Sequence, residues 1–137
     1  MMETTQTTIG RTVRLHTDYE TALARVIAAL KVEGFGVLTE IDVRETLKKK
    51  LDVDFRPYKI LGACNPPLAY RALSTAPEAG LLLPCNVVVA QVAEGVMEVS
   101  LVDPRAMLGV IAYADLKPVA DEAAARLDRV AASLQGQ

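Results

Sequence analysis

This sequence predicts an α+β fold: a two-layer sandwich with a mixed or mainly antiparallel sheet of about five strands and helices packed on one face. Three observations lead there. Strand-like and helix-like periodicities alternate along the chain, a hairpin interrupts them before the last helix, and no glycine-rich phosphate loop follows any strand. The last two disfavour a doubly wound parallel sheet, whose strands are linked by helical crossovers.

The elements follow in order. Thr7 to Leu15 reads as a half-buried strand, with Ile9, Val13 and Leu15 on one parity. In "TDYE", Thr17 and Glu20 have capping-box spacing, and Tyr19, Leu23, Val26, Ile27 and Leu30 continue a helix as far as Gly34. Phe35, Val37, Thr39 and Ile41 form the next alternating run, expected to return beside the first strand. Asp42 and Glu45 repeat the cap pattern before a short helix whose apolar side is Val43, Leu47 and Leu51. Its Lys48-Lys49-Lys50 run suits a solvated C-terminal turn, where cations complement the helix dipole.

A third strand spans Tyr58 to about Ala63. Asn65-Pro66-Pro67 then starts a helix, since asparagine caps well and proline at the first helical position removes only an unpaired N–H. Leu68, Ala69, Ala72 and Leu73 mark its buried side, and Pro77 and Gly80 break the chain into a loop over Ala76 to Gly80. Val87 to Glu94 and Met97 to Val102, joined through "EGV", make the clearest hairpin. An Asp103-Pro104 turn closes it, and Leu116, Val119, Ala123, Leu127, Val130 and Leu134 outline a final amphipathic helix.

The 137 residues fit one domain, 1–137, and 51% hydrophobic with 23% charged residues is enough apolar material for a core. A net charge of −2 gives no broad attraction for nucleic acid or anionic lipid. "MMETTQTTIGRTVRL" lacks the basic and apolar regions of a secretory signal, and no stretch approaches the roughly 18 apolar residues of a membrane span. A cytoplasmic protein bound to neither nucleic acid nor membrane is expected. Two cysteines there are expected as free thiols.

"YKILGACNPPLAYRAL", then "LLLPCNVVV", then "VDP" resemble the signature of the domain-of-unknown-function 302 family, small bacterial and archaeal α+β proteins. The resemblance covers nearly the whole chain. It implies the fold and a compact domain that pairs as a homodimer; the family has no established activity, so the resemblance leaves function and cofactor unknown.

The candidate site is Cys64, Asn65, Cys85 and Asn86, the two Cys-Asn steps of those blocks. If their strands are antiparallel neighbours, both steps fall at one sheet edge. Asparagine offers donor and acceptor, cysteine a compact polarizable wall and proline a fixed loop, which together suit a small-ligand pocket in a binding module. The alternative is a thiol-dependent enzyme, or a redox or metal-binding protein, using Cys64 and Cys85. A helix N-terminus activates a thiolate, yet Pro66 and Pro67 withdraw two donors and no histidine is close in sequence to act as base. A closed zinc site needs four ligands, so none is assigned. The plain structural reading is that both cysteines are small buried hydrophobes and both asparagines fix turns. His16, Asp103, Tyr58 and Tyr70 read as structural positions.

Overall fold

Among the described residues, six antiparallel strands form one sheet in the order β1-β2-β6-β5-β4-β3. The computed structural model describes residues 4–136, with side chains from Thr7 onward, so the ends of the expected 1–137 domain lie outside the described residues. The chain runs β1 (Thr4–Gln6), β2 (Gly10–Leu15), α1 (Tyr19–Val32), β3 (Gly36–Asp42), α2 (Val43–Leu51), β4 (Tyr58–Cys64), α3 (Pro66–Thr75), β5 (Cys85–Ala93), β6 (Val96–Val102), α4 (Pro104–Leu108) and α5 (Lys117–Gln135). The expected α+β class and hairpin are both present, with β1 as a short additional edge strand.

The returning strand does not lie beside the first. β3 pairs with β4 at one side of the sheet, while β2 pairs with β6 and β1 at the other. The β5–β6 hairpin comes between them. β5 is the continuous run "CNVVVA", and such a run suits a central position better than the edge. Edge placement also explains why Ile41 on β3 is half exposed despite its strand pattern. Ile9 is likewise exposed: it lies in the 7–9 turn, where Thr7 and Gly10 exchange hydrogen bonds, outside the regular part of β2.

Val13, Leu15, Leu61, Val87, Val89, Val99 and Leu101 form the sheet's side of the main core, against Leu23, Val26 and Leu30 of α1 and Leu127, Val130 and Leu134 of α5. α5 runs on past the sheet. Its first turns, with Val119, Ala120 and Ala123, join Leu68 and Ala72 of α3 and Leu108 of α4 in a second cluster. Every apolar position anticipated on this helix is buried, but one face serves two cores. In contrast, α2 buries none of its residues, and Leu51 is 66% exposed. The lysines of α2 make exposed pairs, Lys48 Nζ to Asp52 Oδ1 at 3.0 Å and Lys49 Nζ to Glu45 Oε1 at 2.9 Å.

Local capping is strong, though not always at the expected residue. α1 is capped by Asp18, one position after Thr17: its Oδ1 accepts from the Thr21 amide and its Oδ2 from the Thr21 hydroxyl, both at 2.8 Å. An ionised carboxylate at the positive end of a helix is the stronger acceptor, and these bonds hold the Asp18 carboxyl below its ordinary range. Asp42 caps α2 as expected, accepting from the Glu45 amide at 2.9 Å. Asp103 does more than end a strand, since it caps α4 through the Arg105 amide at 2.9 Å. The loop expected at Ala76 to Gly80 contains a 3₁₀ turn, Pro77–Leu81.

α1 ends in a left-handed turn. Gly34 has φ +86°, its amide donates to the Lys31 carbonyl at 3.0 Å, and the Phe35 amide donates to Leu30 at 2.9 Å. A Cβ at Gly34 would stand 2.9 Å from Asn65 Nδ2. Gly34→Ala is therefore expected to lower stability by about 1–3 kcal/mol through backbone strain alone, measurable by urea denaturation.

Candidate functional site

The site begins where β4 becomes α3. Asn65 caps α3, accepting a long hydrogen bond from the Leu68 amide (3.4 Å), and Pro66 and Pro67 occupy the first turn as the sequence suggested. Only 7% of Asn65 is exposed, and its Nδ2 donates to the Glu33 carbonyl at 3.3 Å. That carbonyl, at the C-cap of α1, also accepts from Arg126 Nη1 of α5 at 3.0 Å. The Glu33 carboxylate receives Arg129 Nε at 2.9 Å. Both ends of the Asn65 amide are thus committed to joining α1, α3 and α5, and its polarity is used by the fold.

β4 and β5 are antiparallel neighbours with Ala63 opposite Cys85 and Gly62 opposite Asn86. This register puts the two Cys-Asn steps at one end of the sheet. Cys64, Asn65 and Cys85 line one cleft between the sheet end, α3, α4 and α5, together with Leu68, Leu83, Met107 and Val119. Pro84 contributes a further wall, and the Leu83–Pro84 peptide is cis. The cleft has a volume of about 40 Å³ and is almost wholly apolar.

Asn86 does not join it. The pleat alternates side chains between faces, so Asn86 leaves the face of Cys85 and is exposed. Gly62, opposite Asn86, has no room for a side chain, because a Cβ there would press on Thr39 and on Pro84.

Both cysteines are free thiols, Cys64 half-buried and Cys85 buried. Burial pushes the Cys85 thiol up to about 11, and the nearby Cys64 adds to the shift when charged. A buried neutral thiol is a poor nucleophile at neutral pH. Among the described residues there is no group of three or more His, Cys, Asp or Glu side chains placed to hold a metal ion. His16 is exposed between β2 and α1, and Tyr70 is exposed on α3.

A larger cavity, of about 290 Å³, lies beyond Leu108, between α4, the segment joining it to α5, and the first turns of α5. The sequence reading missed it. Its only local signal is the four-residue spacing of Lys117 and Asp121; the partnership of Arg105 with Asp121 is created by the approach of α4 to α5.

Comparison with known proteins agrees with this architecture. A crystal structure of an uncharacterised conserved DUF302 protein from Bacillus stearothermophilus superposes with a TM-score of 0.78 at 35% sequence identity, covering 90% of this chain and 94% of that one. No curated protein matches the chain. No helix among the described residues is long and apolar enough to cross a membrane. The family described as domain of unknown function DUF302 matches residues 11–134, from β2 through nearly all of α5, and the chain belongs to that family.

Proposed function

We propose that the protein is a small-ligand binding module whose cleft at Cys64, Asn65 and Cys85 receives the slim apolar end of a ligand. One observation carries the reading: residues from two separate sequence blocks meet in a single apolar cleft. Cys64 supplies a half-buried wall, Cys85 a buried floor, and Asn65 the rigid corner. A volume of about 40 Å³ admits a methyl-sized tip and rejects a branched one, so shape is the source of selectivity.

The test uses the accessible thiol. Alkylation of Cys64 by iodoacetamide is expected to slow saturably with n-propanol and to be unaffected by tert-butanol. Equal slowing by both alcohols, or by neither, would overturn the reading.

A thiol-based reading has one observation in its favour: Cys64 and Cys85 line the same cleft. Two thiols sharing one cleft suit a soft cation better than catalysis. Under the binding reading, Cys85 alkylates slowly at neutral pH, and its rate climbs about tenfold per pH unit toward pH 11. Fast alkylation of Cys85 at neutral pH, followed by mass spectrometry, would instead favour thiol chemistry.

A further inference from the structure

The cavity beyond Leu108 combines an apolar interior with an unequal set of charges. Leu108, Leu116 and Ala120 are buried in its floor, and Ile111 and the half-exposed Tyr113 form its walls. At the rim, Arg105 Nε and Lys117 Nζ each lie 3.0 Å from a different oxygen of Asp121. These two hydrogen bonds, Lys117 first, hold the Asp121 carboxyl below its ordinary range. Two cations thus face one carboxylate, leaving one positive charge over at the lining. Asp121 occupies one N–H of a guanidinium that carries five and one of the three on the ammonium.

The first turn of α5 adds little to that polarity: the Lys117 amide donates to the Ala114 carbonyl and Pro118 has no N–H, so the two basic side chains carry the positive character of the rim. An apolar interior excludes a bare inorganic anion, which would lose its water without a full set of donors. A cation would meet Arg105 and Lys117. The ligand that satisfies both parts has a short apolar body and one carboxylate, the group that an arginine fork grips by two parallel hydrogen bonds. At about 290 Å³ the cavity stands at the small end of ligand pockets.

We infer that this cavity is a binding site for a small organic monocarboxylate, with the apolar body against Leu108, Ile111 and Leu116 and the carboxylate on Arg105 and Lys117. The site is separate from the cysteine cleft, although Leu108 borders both.

Hexanoate is the probe, titrated into the full chain while the methyl signals of Ile111 and of Leu83 and Val119 are followed by NMR. Ile111 reports this cavity; Leu83 and Val119 report the cysteine cleft. Saturable shifts at Ile111 are expected with hexanoate. Binding should weaken about tenfold with hexanol, with hexylamine, or with hexanoate on Arg105→Gln, the loss expected for one charge-assisted contact. Because Arg105 is exposed and Lys117 more so, Lys117→Gln serves as a second variant that leaves the core untouched. Hexanol binding as tightly as hexanoate, inorganic phosphate competing with it equally, or no saturation at Ile111 up to the solubility limit would each overturn the assignment. Shifts confined to Leu83 and Val119 would overturn it while supporting the cysteine cleft.

Discussion

Asn65→Ala is expected to lower the stability of the folded protein by about 2–3 kcal/mol, the loss of an N-cap plus that of a buried hydrogen bond. The cap contribution comes from the Leu68 amide, which would lose its side-chain acceptor. The second contribution comes from the Glu33 carbonyl, which would keep Arg126 but lose the Asn65 amide. Alanine also leaves the corner of the cleft empty. Asn65→Asp separates these contributions: it keeps an acceptor for the Leu68 amide but replaces the donor with an oxygen facing the Glu33 carbonyl. It should therefore be at least as destabilising as alanine, although aspartate is an equally good cap in isolation. Urea denaturation of the three proteins checks this. An Asn65→Asp variant as stable as the parent would show that the link to α1 contributes nothing.

Leu30→Ala should be more damaging, by about 2–5 kcal/mol, the range for removing a fully buried leucine. Leu30 has no exposed surface and lies in the main core with Val26, Phe35 and Val130. Its carbonyl also receives the Phe35 amide that closes the turn at Gly34. The cavity would open where α1 turns into β3, beside the polar junction of Glu33, Asn65 and Arg126. Replacement by methionine conserves volume and should cost under about 1.5 kcal/mol. Equal losses for alanine and methionine would mean that the turn geometry, and not packing, sets the stability here.

The parts of this structure that were legible in the sequence are those decided over short spans. Asn65 before two prolines is a local statement, and it caps α3. The Glu94-Gly95 turn and the alternation of Met97, Val99 and Leu101 similarly fixed the β5–β6 hairpin. The apolar spacing from Leu116 to Leu134 identified α5, although it could not reveal that two cores share that face.

Features that depend on distant partners were harder to read. Thr17 and Asp18 are both competent caps, and the choice fell to the one whose carboxylate reaches the Thr21 amide and hydroxyl together. The position of β3 depends on which strand takes the centre of the sheet. That is settled by the pairing of β5 with both β4 and β6. Asn86 shares its motif with Asn65, but the pleat turns it away from Cys85, so sequence similarity did not become spatial similarity. The Arg105–Asp121 pair joins residues from two helices and leaves little trace in the one-dimensional pattern.

Selection of a slim apolar group by the cleft of Cys64, Asn65 and Cys85 is tested by methyl NMR with n-propanol on the parent and on Ala69→Leu. Ala69 is a half-exposed residue of the cleft lining, so leucine there should fill the entrance without entering the core. Saturable shifts at Leu68, Leu83 and Val119 are expected in the parent, and their loss in the variant. Shifts that never saturate, or that persist unchanged in Ala69→Leu, would contradict it.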